Sequence, residues 1–135
     1  MTTTTGRFDL TRWDEEVYDD AEGAKLQAVL MAKTFAGGID GTSTGRLLQA
    51  FAADGAAAYV GIERVTGELD GRKGSFVLRH SAVGSAAGGS MSVDVVPGSA
   101  TGDLLGLAGE FAIARSPEGE HTYTFDYVIA GRSPV

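Results

Sequence analysis

AAYVGIERVTGELDGRKGSFVLRHSAV, residues 57–83, is the stretch on which the fold turns. Two runs with period-two alternation flank Asp70 and Gly71, a dipeptide that favours the two-residue type I′ turn because both positions need a positive φ. Such a turn sets Leu69 opposite Arg72 and fixes every pair behind it. Val65 then faces Phe76, Glu63 faces Leu78, Gly61 faces His80 and Tyr59 faces Ala82. One surface of the hairpin collects Tyr59, Glu63, Val65, Phe76, Leu78, His80 and Ala82. The other collects Val60, Ile62, Arg64, Ser75, Val77, Arg79 and Ser81. The surface with the aromatic rings is predicted to be the interior.

The same rhythm extends outward. Lys25 to Phe35 places Val29, Met31, Lys33 and Phe35 on one face, with a helix as the competing reading. Met91, Val93 and Val95 alternate with Ser92 and Asp94, Phe111 and Ile113 continue the pattern, and His121 to Ile129 sets Tyr123, Phe125 and Tyr127 on one side. Turn signals at residues 36–38, 54–55, 70–71, 97–98 and 117–119 separate these runs. About eight short strands at this spacing indicate a sandwich or barrel. Thr44 to Ala53, with Leu47, Leu48 and Phe51 at helical spacing, is the other candidate for a short helix. Gly84 to Ser90 is low in complexity and reads as a mobile loop.

Composition fits this class. The 135 residues suit a single domain spanning 1–135, and 20 glycines against 3 prolines suit strands, tight turns and bulges. A net charge of −7 opposes nucleic acid and anionic membranes, whose affinity rests on Lys and Arg neutralising phosphate. The absence of cysteine excludes disulfide scaffolds, thiolate metal sites and thiol catalysis. The N-terminal residues show no basic region followed by an apolar one, and no apolar run reaches membrane-spanning length, so a soluble, cytoplasmic protein is expected.

Three segments carry a resemblance: YVGIE at 59–63, GELDGRKGSF at 67–76 and VPGSATGDL at 96–104. With Phe8 and Trp13, FAGGIDGTS at 35–43 and HTYTFDY at 121–127, they resemble a bacterial family of unknown function in the allene-oxide-cyclase-like barrel superfamily. The resemblance runs over most of the chain and implies an all-β, eight-stranded antiparallel barrel with at most one short helix. Related barrels include cyclases of reactive lipids and natural-product pericyclases, which shape and shield an apolar substrate. That likeness transfers no catalytic residue.

The hairpin register makes Glu63 and His80 diagonal neighbours, with Cβ atoms roughly 6–8 Å apart. A carboxylate beside an imidazole in an apolar interior is where acid–base chemistry becomes possible; a self-satisfied structural pair is the competing reading. Gly61 opposite His80 leaves space beside them. Tyr59, Phe76, Leu78, Tyr123 and Tyr127 are candidate ligand-binding residues on the same inner wall, and Trp13, the single tryptophan, is read as a plug or a ligand wall at one barrel end. Lys33, on the face of Val29, Met31 and Phe35, reads as either a cavity cation or an edge lysine that discourages aggregation, the edge being the favoured reading. Gly41-Thr-Ser43-Thr-Gly45 matches the pattern of a nucleophile elbow, but that elbow needs a parallel sheet and a following helix, so Ser43 reads as a turn residue. His80 and His121 with Glu63 or Asp126 have the composition of a two-His-one-carboxylate site, yet nothing in their spacing joins them, and no metal or other cofactor is expected. The function indicated is binding of a small, largely apolar molecule inside the barrel, with Glu63 and His80 as catalytic candidates for a cofactor-free isomerase or cyclase. A carrier without chemistry and a filled barrel acting through homo-oligomer contacts, a dimer first, over the Val60, Ile62 and Val77 stripe are the alternatives.

Overall fold

Alternation of side chains across the pleat is realised in eight strands: β1 (Thr2–Ala21), β2 (Ala24–Gly37), β3 (Ile39–Ala52), β4 (Ala57–Leu69), β5 (Arg72–Ser85), β6 (Gly88–Val95), β7 (Leu107–Arg115) and β8 (His121–Ile129). The structure is a computed structural model that describes residues 1–130. The strands follow one another in chain order, each antiparallel to the next, and β8 pairs back onto β1 to close a barrel. Beyond the strands, Gly102–Leu104 forms a single 3-10 turn.

The β4–β5 hairpin has the predicted register throughout, from Leu69 opposite Arg72 to Tyr59 opposite Ala82. Asp70 (φ 49°) and Gly71 (φ 86°) both adopt the positive φ that a type I′ turn requires. Both helix alternatives give way to strands: 25–35 lies in β2 and 44–53 falls almost wholly in β3, because each segment buries alternate residues against the interior rather than one helical stripe. The segment 84–90 is not a long loop either. Strands β5 and β6 run into it from both sides and leave only Ala86 and Ala87 between them. The 20-residue β1 has no clean alternation to read, since bulges between Leu10 and Arg12 and between Val17 and Asp19 each reset its phase.

The barrel is filled at one end. Phe35, Phe76, Phe111, Phe125, Tyr123 and Tyr127 pack there with Ile39, Leu69 and Leu78, and the β6–β7 connection folds Ala100 and Leu104 underneath as a plug. Phe76 stacks on Phe125 and Phe111 stacks on Tyr123, at centroid distances of 5.9 and 5.0 Å. Polar latches hold this end shut. Tyr123 accepts the Ile39 N–H at 2.8 Å and donates to the Ala36 carbonyl at 3.0 Å. Asp70 accepts from Tyr127 of β8 at 2.5 Å and from Thr4 of β1 at 2.9 Å, so one turn carboxylate ties the hairpin to the strands that complete the ring. Gly6 is required beside this latch, because a Cβ there would collide with the Tyr123 hydroxyl and the Ala36 carbonyl.

The opposite end is less complete. Pairing between β1 and β8 covers only Thr2 to Phe8, so β1 from Asp9 onward has β2 on one side and no strand paired on the other among the described residues. This ragged rim surrounds the candidate site.

Candidate functional site

Four polar side chains meet where four adjacent strands turn the same face inward. Lys33 in β2 pairs across to Ser43 in β3, Ser43 to Val65 in β4, and Glu63, two residues along, to Leu78 in β5, which precedes His80 by two. The result is a diagonal of Lys33, Ser43, Glu63 and His80 on the inner wall. Glu63 is wholly buried, with 0% of its surface exposed, and His80 and Lys33 retain 3% and 6%. Its Oε1 accepts from Lys33 Nζ at 3.2 Å and lies 2.7 Å from His80 Nε2; its Oε2 accepts from the Ser43 hydroxyl at 2.5 Å.

This geometry sets the protonation. Burial pushes the Glu63 carboxyl up, but the hydrogen bond from His80, the Lys33 charge and the hydrogen bond from Ser43 outweigh it and bring the pKa from 4.5 down to about 2. Glu63 is therefore a carboxylate near neutrality, and the hydrogen in its contact with His80 must come from the imidazole. A neutral His80 ring thus carries its proton on Nε2 and a lone pair on Nδ1. Nδ1 has no hydrogen-bond partner among the described residues and is not sealed from solvent. Lys33 also lies over the ring of Phe8, 4.4 Å from its centroid, and Phe8 in turn stacks on His121 at 4.9 Å.

A cavity of about 300 Å³ lies above this cluster, between the aromatic core and the open rim. Lys33 and His80 form part of its wall together with apolar Phe8, Leu10, Met31 and Leu47; Trp13, Tyr59, Arg115 and His121 also line it. Near the rim Gln27 donates to Glu15 at 2.7 Å and to Gln49 at 2.5 Å, a polar layer linking β1, β2 and β3. The Tyr59 phenol is raised above its ordinary value, by burial first and then by the charge of Glu63.

The structure brings Glu63, His80, Tyr59 and Trp13 to this region. Trp13 is a wall and not a plug, being 41% exposed at the rim. Phe76, Leu78, Tyr123 and Tyr127 lie in the filled half, where the phenols serve the latches. Two readings are corrected. Lys33 is no edge lysine: it points inward because it shares the phase of Val29, Met31 and Phe35, and Glu63 compensates its burial. Ser43 is no turn residue: it sits inside β3 in phase with Ile39 and Leu47, buried, as a donor to Glu63. The space left by Gly61 is partly taken by Leu47, since a Cβ on Gly61 would collide with that side chain and with the Arg46 carbonyl. The sequence does not single out Arg115 and offers His121 only as a candidate metal ligand, because each stands at a strand end, where alternation no longer marks a face. Among the described residues no group of three or more potential metal ligands comes together, and Asp126 is instead held by Thr3 at 2.5 Å.

Residues 4–127 match the model of a family described as a protein of unknown function, DUF3224. The chain belongs to the DUF3224 family. The crystal structure of a DUF3224 protein of unknown function from Shewanella oneidensis MR-1 is similar over 98% of this chain and 99% of that one, with 36% identity and a TM-score of 0.89. No curated protein matches the chain. The DUF3224 barrel is thus shared closely in fold, and its chemistry has to be read from its own side chains. No helix among the described residues is long and apolar enough to cross a membrane.

Proposed function

We propose that this DUF3224 barrel binds a small, largely apolar molecule in its interior, and that His80, held by Glu63, exchanges a proton with it as a cofactor-independent isomerase or cyclase. One observation carries the reading: the barrel is filled at one end only, and the space left at the other is bounded by His80, whose imidazole is held from behind by the buried Glu63 carboxylate. A volume of about 300 Å³ is at the low end of small-molecule sites, and the mix of apolar wall with a few convergent polar groups is typical of them. Glu63 has both oxygens engaged, so its role is to position His80 and to stabilise the imidazolium, as the carboxylate does in a catalytic triad. His80 Nδ1 takes the proton from a carbon flanked by a carbonyl and a carbon–carbon double bond, the bonding pair moves onto the carbonyl oxygen near Lys33 as a dienolate, and as that pair returns the far alkene carbon takes the proton, so the double bond moves into conjugation without net redox change. The resemblance to allene-oxide-cyclase-like barrels supports this by analogy of fold.

Binding without chemistry is the second reading, favoured by the completeness with which Glu63 satisfies Lys33, Ser43 and His80 inside the protein. A cytoplasmic setting, consistent with the lack of cysteine, and a homodimer formed over the outer stripe of Val60, Ile62 and Val77, the first two exposed and Val77 half-buried, belong to the same proposal. Native mass spectrometry of protein purified from its own host tests it. A retained small molecule that His80→Ala releases supports the binding reading, and conversion of that molecule by wild type separates enzyme from carrier. A barrel that retains nothing, and whose Trp13 fluorescence is unmoved by small apolar molecules, is a filled structural barrel.

A further inference from the structure

The cavity wall is electrically unlike the rest of the chain. With 18 acidic residues against 11 basic ones the protein is strongly anionic, yet no carboxylate lines the cavity. The charged or protonatable nitrogen side chains on the wall are Lys33, Arg115, His80 and His121, which include both histidines of the sequence. The remaining polar lining, Tyr59 and Gln49, can also donate. The carboxylates nearby are already committed: Glu63 to Lys33, Ser43 and His80, and Glu15 to Gln27. Lys33 spends one of its three N–H donors on Glu63, lies over the Phe8 ring and lines the cavity.

Resting on the second reading above, binding without chemistry, we infer that the occupant is an amphipathic organic anion, an apolar body carrying one carboxylate, seated with its carboxylate against Lys33 and His80 and its body against Leu10, Trp13, Met31 and Leu47. Charge balance favours this arrangement. Glu63 stands alone against two nitrogen groups able to carry positive charge, and a second carboxylate completes two matched pairs once the His80 ring takes a proton on Nδ1. Charge-assisted hydrogen bonds to the buried Lys33 and His80 are stronger than neutral ones and impose a fixed orientation. Arg115 lines the cavity as an exposed, solvent-screened cation and contributes less to affinity than the buried Lys33.

Trp13 is the only tryptophan and lines the cavity, so its fluorescence reports occupancy. The probes are 4-phenylbutyrate, 4-phenylbutanol and 4-phenylbutylamine, which share an apolar body and differ in head group. In wild type the carboxylate should bind at least roughly tenfold tighter than the alcohol, with the amine weakest. Lys33→Met should abolish that preference, while Arg115→Gln should reduce it only by about two- to threefold, in line with a screened surface charge. If Lys33→Met does not fold, the double variant Lys33→Met/Glu63→Gln removes both buried charges together and serves in its place. Equal binding of all three probes overturns the anion assignment and leaves the apolar cavity standing. Loss of preference in Arg115→Gln but not in the Lys33 variants overturns the placement of the head group. No response to any probe overturns this inference and the binding reading with it.

Discussion

Replacing Glu63 by Gln is the most direct interrogation of the buried cluster, and the structure gives the size of the effect. The carboxyl has its pKa brought from 4.5 to about 2 by the groups around it. At about 1.36 kcal/mol per pKa unit, the folded state favours the ionised form by roughly 3 kcal/mol relative to the unfolded chain. Because the folded value lies below the unfolded one, this stability is fully present above about pH 5 and is lost as the pH falls through 4.5 toward 2. Glutamine can keep an oxygen toward Lys33 and His80 and turn its amide toward Ser43, whose hydroxyl can accept, but it leaves the Lys33 ammonium without a counter-charge. Urea unfolding of wild type and Glu63→Gln at pH 7, 5, 4 and 3 should give a deficit of about 3 kcal/mol at neutral pH that shrinks steadily on acidification. Carboxylates elsewhere titrate in both proteins and cancel in the difference. A deficit below about 1 kcal/mol at pH 7, or one that does not change with pH, would refute the account of Glu63 as an ionised hub.

Long-range proton–nitrogen correlation spectra should show the neutral His80 ring protonated on Nε2 and bare on Nδ1; a proton on Nδ1 contradicts the donor assignment to Glu63. Gly71→Val forces a β-branched residue to φ 86° and should cost more than about 1 kcal/mol by thermal or chemical unfolding, whereas an unchanged midpoint means the turn tolerates what a type I′ geometry forbids. Tyr127→Phe deletes the donor to Asp70 and should cost about 1–2 kcal/mol while leaving probe binding in the cavity intact. Weakened binding in that variant would mean that the two ends of the barrel are coupled.

The hairpin from Tyr59 to Val83 was legible because one dipeptide fixes the register and the register fixes the faces. Glu63 and His80 could be paired from the sequence for that reason. Lys33 and Ser43 could not, although both stand in phase with buried neighbours, because their strands are joined to Glu63 by connections whose geometry the residues do not announce: a turn at Gly38 and a four-residue link at 53–56. An inward lysine needs a counter-charge to offset its burial, and the partner of Lys33 lies two strands away, where no pattern within β2 points to it. Strand β1 was hidden by its bulges. Which inner-wall residues fill the core and which line a cavity also escapes alternation, since Phe76 and Tyr59 share a phase and differ only in height along the barrel.

The unpaired length of β1 has a consequence for how these molecules behave in a crowd. Seven of the 18 acidic residues fall between Asp9 and Glu22 with only Arg12 among them, so this segment, the open part of β1 and the first residue of the turn after it, has a net charge of −6 in a chain of net −7. Negative charge is therefore concentrated on one segment, and that segment is also a long open ribbon of backbone donors and acceptors. Two such ribbons approaching edge to edge repel each other before their backbones can zip together, an advantage that salt weakens and that acid abolishes as the carboxylates take up protons. The solubility of this barrel is therefore decided on a single strand, and the conditions that neutralise that strand are those under which the protein should begin to form fibres or precipitate.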